Sequence, residues 1–275
     1  MIKPKTIILA HADCVDGLGA CYAAWLHFKD NAEYVFMTYG DKLPDLTGKN
    51  VYMVDWSVKA SDLDDILKIA SSVTILDHHL SAQRELIKYL DRGDIKGIID
   101  MKRSGAVIAW DYFHARSSMP RLFEYIQDRD LWKNELEDTN PIIHALYSYD
   151  LTLENMHMLK GNEDRLKKEG QPLIRVLEKA KKNAMFKFRK AEFNSHKILV
   201  INDTRSEILN HILTETPEVD YVVGYTDIND KVTYSLRSED SRVDVSVVAS
   251  LLGGGGHHNA AGCSSPLGFH FWEEL

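Results

Sequence analysis

The chain has 275 residues, of which 44% are hydrophobic and 27% are charged, as in an ordinary soluble globular protein with room for two domains. Its formal net charge of -8 argues against a protein that coats nucleic acid through a broad basic surface. The charge still allows an enzyme that handles short nucleotides in a locally basic cleft.

The cysteines are Cys14, Cys21 and Cys263. Their odd number and their spacing fit neither a disulfide framework nor a zinc motif, so we expect reduced thiols and a cytoplasmic protein. The apolar run near the start is too short for a signal-peptide core or a membrane span, and no later segment is long enough. We therefore expect no membrane association.

Residues 1–150 alternate short apolar runs with helical patterns, which is typical of an α/β domain with a parallel sheet. Strands are predicted at residues 6–10, 33–38, 51–54, 73–76 and 98–99. Helices are predicted at residues 18–28 and 61–70, from Ser104-Gly105-Ala106 onward, and at residues 122–126.

Acids and histidines follow three of these predicted strands. They occur at residues 11–16, at Asp55, and in the run Asp77-His78-His79. Since the carboxyl ends of parallel strands share one edge of a sheet, these side chains are expected to converge. Carboxylate and imidazole together suit a hard or borderline metal such as manganese.

Residues 151–193 are richer in charge and are predicted to form one or two linker helices. The basic runs there fit a solvated helix face, with a phosphate-steering surface as the alternative. Residues 194–275 are predicted to form a smaller α/β domain. Its strands are expected at 198–201, 221–225 and 231–237, with a hairpin between the last two and a helix at 245–252.

A glycine run precedes two histidines near the end of the chain. Glycines cost backbone entropy, so packing is not expected to explain the run, whereas bare amides can close around an anion. Arg237, at a predicted strand end, is suited to bidentate phosphate contact. The alternatives are a flexible loop and an ordinary surface arginine. The predicted substrate-binding residues of this region are Gly254, Gly255, Gly256, His257, His258 and Arg237.

With these motifs in place, the chain resembles the DHH phosphoesterase superfamily over nearly its whole length. The matching N-terminal motifs stand in order at residues 11–17, Asp55, Asp77-His78-His79, and Asp128 within Asp-Arg-Asp-Leu-Trp. Residues 254–262 are similar to the Gly-Gly-Gly-His-x-x-Ala-Ala-Gly motif of the C-terminal domain that accompanies many members.

The resemblance implies an α/β catalytic domain with two manganese ions, a helical linker, and a substrate-binding domain that closes over a cleft. Magnesium or another divalent metal is the alternative. The implied activity is hydrolysis of phosphate esters. Relatives cut short oligonucleotides, single-stranded DNA, cyclic dinucleotides, nucleotide 3′-phosphates or pyrophosphate.

One motif departs from the family pattern. The family usually places two aspartates with one residue between them before the glycine, but here Cys14 stands two residues before Asp16, and Asp13 lies one further back. Carboxylate is the better donor for manganese, so Asp13 is the expected ligand. If Cys14 binds instead, a softer metal becomes credible.

The resulting hypothesis gives the metals six ligands, one of which, the Asp55 carboxylate, bridges the two ions. An activated water would attack phosphorus in line, while His79, Arg237 and the glycine amides neutralise phosphoryl charge. Asp77 is expected to orient a histidine ligand. The six expected ligands are His11, Asp13, Asp16, Asp55, His78 and Asp128.

The favoured substrates are nucleotides or short oligonucleotides, with cyclic dinucleotides and nucleotide 3′-phosphates as alternatives within the same chemistry. A different class of function is a nucleotide-binding regulatory module that does not hydrolyse, favoured only by the irregular position of Cys14. A pyrophosphatase is disfavoured by the glycine-histidine motif. A homodimer is compatible with the sequence, which neither requires nor excludes it.

Overall fold

The structure is a computed structural model that describes residues 5–38, 40–115 and 117–272. The chain divides into two compact units, Met1–Ile174 and Arg175–Leu275. The division falls inside the segment predicted as a linker, within a long helix, α8 (Glu163–Ala184). Each unit is described separately below.

The described part of the first unit contains a five-stranded sheet in which every pairing is parallel, in the order β2-β1-β3-β4-β5. This confirms the predicted α/β class and the predicted strands. The strands are β1 (Thr6–His11), β2 (Ala32–Met37), β3 (Asn50–Val54), β4 (Ser72–Asp77) and β5 (Lys96–Ile99).

Helices cover both faces of this sheet, as the alternation along β1 requires. Ile8 and Ala10 join one buried cluster, whereas Ile7 and Leu9 join the other. Successive strand residues point to opposite faces, so both faces must be covered. The helices are α1 (Val15–Phe28), α2 (Ala60–Ile69), α3 (Leu80–Arg92), α4 (Gly105–His114), α5 (Arg121–Asp130), α6 (Thr139–Tyr147), α7 (Leu153–Leu159) and the first part of α8, with a short 3₁₀ helix at Lys29–Asn31.

The described part of the second unit contains a six-stranded sheet in the order β10-β11-β9-β8-β7-β6, in which only β7 and β8 pair in parallel. The predicted hairpin is present between β8 and β9. The elements are β6 (Arg189–Phe193), β7 (His196–Ile201), α9 (Ser206–Glu215), β8 (Tyr221–Ile228), β9 (Lys231–Arg237), α10 (Val245–Leu251), β10 (Gly255–Gly256) and β11 (Ala260–Pro266).

A membrane-crossing helix would need both length and a nearly continuous apolar composition. In the described ranges, no helix combines the two.

Candidate metal centre

The carboxyl ends of β1, β3 and β4 deliver acids, imidazoles and one thiol to a single edge of the parallel sheet. β1 ends at His11, and the turn that follows leads into α1 at Val15. β3 is followed by Asp55, and β4 ends in Asp77, directly before His78. The predicted convergence of these strand ends is what the structure contains.

Potential ligand atoms form a first group made of His11, Cys14 and Asp55. One ligand atom from each residue lies within 4.8 Å of the other two. His11 Nδ1 is 3.6 Å from Asp55 Oδ2. Nitrogen, sulfur and oxygen donors therefore meet at one point.

A second group consists of Asp16, His78 and Asp130, again with ligand atoms within 4.8 Å of one another. His78 Nε2 lies 3.6 Å from Asp16 Oδ2 and 3.5 Å from Asp130 Oδ2. This second group offers only nitrogen and oxygen donors.

Asp55, a member of the first group, also contacts a residue of the second group. Its Oδ2 faces His11, whereas its Oδ1 is 3.1 Å from His78 Nε2. The residue is 1% exposed and has a φ of 54°, in the left-handed region that a non-glycine residue seldom adopts. Such strain tends to persist where a functional geometry depends on it. The sequence interpretation expects a bridging carboxylate at this residue, and the structure places its two oxygens toward different groups.

Gly105 makes room for that carboxylate. A Cβ at position 105 would lie 2.5 Å from both Cβ and Oδ1 of Asp55, so no larger residue fits without moving Asp55. The first turn of α4 also fixes Asp16, whose two oxygens accept hydrogen bonds from Gly105 N at 2.6 Å and Ala106 N at 3.0 Å. The helix N-terminus thus supports a buried carboxylate.

Asp77 is expected to orient a metal-binding histidine, and in the structure it contacts the ring of His79. Asp77 Oδ1 accepts a hydrogen bond from His79 Nδ1 at 2.7 Å and others from the His78 and His79 amides. Asp77 also offers a carboxylate oxygen to a third group of potential ligand atoms, with Asp55 and His79. The His79 ring is therefore held by a buried carboxylate.

Charge in the first group is balanced by protonation of the imidazole. Burial by itself would lower the pKa of His11, but the Asp55 carboxylate and Cys14 raise this pKa well above its ordinary value. Burial raises the pKa of the Cys14 thiol, although His11 counteracts part of that effect. Burial would also raise the pKa of Asp55, but the His11 and His78 rings lower it below its usual range.

The second group shows the same balance. Burial would lower the pKa of His78, but Asp130 and Asp55 raise it well above its ordinary value. Burial, with repulsion from Asp55 and Asp130, raises the pKa of Asp16 well above its usual range. Burial likewise raises the pKa of Asp130, although His78 opposes the effect. The acids therefore draw positive charge into the site.

These residues fit divalent cations. The oxygens Asp77 Oδ2 and Asp130 Oδ2 are buried and accept no hydrogen bond from the part of the chain that the structure describes. Buried carboxylate oxygens normally have such partners. Metal ions would satisfy these oxygens and supply the positive charge that the imidazoles otherwise provide.

Two of the six predicted ligands lie outside these groups. Asp128 is buried, but its carboxylate accepts hydrogen bonds from Glu135 N, Leu136 N and Thr139 Oγ1. It therefore stabilises the segment after α5 and does not join the cluster of potential ligands. Asp130, two residues later, takes the place that the sequence interpretation gave to Asp128.

Asp13 is the other predicted ligand outside the groups. It has a φ of 55° and an exposed side chain, because it forms the turn between β1 and α1. Cys14 follows at the N-cap of α1, where its side chain makes no capping hydrogen bond. The structure therefore brings Cys14, and not the expected Asp13, to the cluster.

In the second unit, Arg237 ends β9, where its main chain pairs with Ala260 of β11. Its guanidinium donates to Ser206 Oγ at the start of α9 and, over 2.8 Å, to the carbonyl of Leu236. His258 lies on the turn that precedes Ala260, with Nδ1 3.7 Å from Asp244 Oδ2. The predicted arginine and this histidine thus belong to one end of the second sheet.

The glycine run is not an open loop. Gly255 and Gly256 form β10, antiparallel to β11, and the amides of Gly254 and His257 donate to the carbonyls of Ala249 and Ala260. The expectation that packing does not explain the run is wrong for Gly254 and Gly256, where a Cβ would lie 2.0 Å from the Gly262 carbonyl oxygen and 2.6 Å from the Ala260 carbonyl oxygen. These glycines allow the main chains of β10 and β11 to approach closely.

The sequence of the chain is similar to that of a viral protein. No protein-family model matches the chain. An uncharacterized protein of Acanthamoeba polyphaga mimivirus is 30% identical over 283 residues, covering 93% of this chain. The chain spans 66% of that viral protein's length.

Among solved structures, an exopolyphosphatase-related protein from Bacteroides fragilis has a TM-score of 0.52 at 13% identity, over 96% of this chain and 87% of that one. The two proteins share a fold. A pGpG-specific phosphodiesterase from Vibrio cholerae gives a TM-score of 0.47 at 14% identity, over 95% of this chain and 93% of that one. An uncharacterized Helicobacter pylori protein gives 0.42 at 16% identity, over 96% and 94%. The last two scores are too low to support an argument.

Proposed function

We propose that this protein is a divalent-metal-dependent phosphohydrolase of the DHH type, acting on phosphate esters of nucleotides or short oligonucleotides. One observation supports the proposal above all others. Three neighbouring strand ends bring together two groups of potential ligands on either side of a single buried carboxylate, Asp55. Two-metal phosphohydrolases require ligands for two adjacent ions.

The side chains of the two groups would bind two metal ions. Asp55 would hold both metal positions, with His11 and Cys14 on one side and Asp16, His78 and Asp130 on the other. Bound divalent cations would supply Lewis acidity for water activation and for neutralising phosphoryl charge. Manganese remains the proposed metal for the oxygen-rich group, with magnesium as the alternative.

Two further parts would handle substrate. His79, whose ring is fixed by Asp77, would donate to a phosphoryl oxygen. Arg237 and His258 of the second unit would bind the phosphate of a nucleotide. The amides of Gly254 and His257 are not part of this proposal, because main-chain carbonyls already accept their hydrogen bonds.

A substrate panel tests the proposed function. Dinucleotides, longer RNA, single-stranded DNA, cyclic dinucleotides, nucleotide 3′-phosphates, pyrophosphate and inorganic polyphosphate should each be incubated with manganese and with magnesium. Polyphosphate is included because the Bacteroides protein of the same fold is exopolyphosphatase-related. We expect metal-dependent release of mononucleotide or phosphate from one of the nucleotide substrates.

Two variants make the panel decisive. Asp55→Asn should abolish turnover without loss of the folded state, whereas Asp13→Asn, which changes an exposed acid of the same turn region, should leave it unchanged. Nucleotide binding without any product, with both variants binding like the wild type, would indicate a regulatory module instead. Full activity in Asp55→Asn would exclude the proposed centre.

A further inference from the structure

We propose that the first group binds its metal through the Cys14 thiolate and so selects a borderline or soft transition metal such as zinc, cobalt(II) or iron(II), whereas the second group takes manganese or magnesium. The inference rests on the proposed function, because it specifies the metals of the same centre. It goes further by making the two positions chemically unequal.

The turn between β1 and α1 makes the choice of ligand. Asp13 adopts the left-handed conformation and its side chain is exposed. Asp is among the few residues that tolerate this conformation. The next residue, Cys14, returns to extended backbone with φ -131° and ψ 135°, and its Sγ lies within 4.8 Å of the ligand atoms of His11 and Asp55.

The Cys14 side chain has no competing structural task at this helix end. N-cap side chains commonly accept a hydrogen bond from the first turn, but Cys14 makes no such bond, and its carbonyl accepts from Leu18 N. Beside it, Asp55 is 1% exposed, and its Oδ2 lies 3.6 Å from His11 Nδ1. Thiol, imidazole and buried carboxylate therefore meet at the position where an ion would lie.

Donor chemistry then separates the two positions. Thiolate with imidazole favours zinc and related transition metals, whereas carboxylates favour manganese and magnesium. The first group supplies sulfur, nitrogen and oxygen, and the second supplies two carboxylates and one imidazole. On binding, the Cys14 S–H bond breaks, its proton leaves to solvent, and a sulfur–metal bond forms.

Cobalt(II) provides a readout that does not depend on activity. The full-length protein should be loaded with cobalt(II) without oxygen, and the near-ultraviolet thiolate-to-cobalt charge-transfer band recorded. We expect the band in the wild type and in Cys263→Ala, a control that alters a buried cysteine of the second unit. Cys14→Ser and Cys14→Asp should lack it, and circular dichroism should establish that both are folded.

Metal competition gives the second readout. Cys14→Asp should shift the first position toward manganese and reduce the preference for zinc over manganese by about tenfold or more. X-ray absorption of zinc-loaded wild type should contain one sulfur neighbour at about 2.3 Å, absent from Cys14→Asp. A cobalt-loaded wild type without the band, or a band that persists in Cys14→Asp, would overturn the assignment.

Failure of this inference is distinguishable from failure of the proposed function. If no thiolate band occurs but manganese-dependent hydrolysis is lost in Asp55→Asn, the centre exists and Cys14 is not its ligand. If the band occurs but the protein hydrolyses nothing in the substrate panel, the thiolate site stands and the proposed activity falls.

Discussion

Asp128 and Asp130 provide a matched pair of isosteric substitutions with opposite expected effects. Both acids lie in the last turn of α5, but Asp128 accepts three hydrogen bonds, from Glu135 N, Leu136 N and Thr139 Oγ1. Asn at position 128 keeps one carbonyl oxygen and turns an amide donor toward these donors. Since a hydrogen bond to a charged group contributes about 1.5–3 kcal/mol, we expect Asp128→Asn to lower the free energy of unfolding by about 2 kcal/mol.

For a unit of this size, that loss corresponds to a fall in Tm of roughly 4–8 °C. Asp130→Asn should behave differently, because Asp130 Oδ2 accepts no hydrogen bond from the described residues, and its attraction to His78, 3.5 Å away, is offset by burial and by repulsion from Asp55. The stability of the metal-free variant should be within about 1 kcal/mol of that of the wild type.

Thermal unfolding with and without manganese separates the two roles. At a manganese concentration about a hundredfold above Kd, binding adds about 2.7 kcal/mol to the stability of the wild type. Asp128→Asn should retain this gain from its lower baseline, whereas Asp130→Asn should lose most of it. The assignment would be refuted if Asp130→Asn kept the full manganese-dependent gain while Asp128→Asn lost it at unchanged metal-free stability.

Two further predictions concern the surroundings of Asp55. Gly105→Ala should abolish metal binding because its Cβ would lie 2.5 Å from the Asp55 carboxylate. Isothermal titration with manganese measures this directly. Unaltered binding would mean that metal binding does not depend on the position of the Asp55 carboxylate. In the chelated protein, burial would raise the pKa of Asp77, but His79 lowers it below its usual range. The stability that this carboxylate contributes is therefore present above about pH 4, the ordinary Asp range, and is lost as pH falls further. Acid unfolding of Asp77→Asn should then be less steep than that of the wild type below about pH 4, and equal slopes would contradict the role given to His79.

The sheet of the first unit could be predicted from the sequence because its apolar runs are long enough to distinguish and each ends in polar residues. That pattern also located His11, Asp55 and His78, since parallel strands leave their carboxyl ends at one edge. Helices α3 and α6 were not predicted, although α3 buries Ala82, Leu86 and Tyr89 at helical spacing.

The positions of Asp13 and Asp128 outside the cluster have local conformational causes. Which of Asp13 and Cys14 faces the site depends on a left-handed residue in the turn, and Asp is compatible with either conformation. Asp128 and Asp130 are separated by about 200° around a helix, so only one can face the cluster, and the phase of a helix end is poorly determined by sequence.

The structural role of the glycine-histidine segment could not be predicted for a different reason. Close approach of two main chains leaves no trace in the sequence except glycine itself, which also suits an anion-binding loop. The spatial neighbours of Gly254, namely Gly262 and Cys263, distinguish these uses.

Crystals of the full-length protein grown with manganese would test the central claim most directly, through anomalous scattering at the manganese edge and then at the zinc edge after zinc loading. Across the two data sets we expect two metal positions about 3.5–4 Å apart on either side of the Asp55 carboxylate, zinc beside His11 and manganese beside His78. A single metal position in both data sets, or positions away from the ends of β1, β3 and β4, would contradict the account.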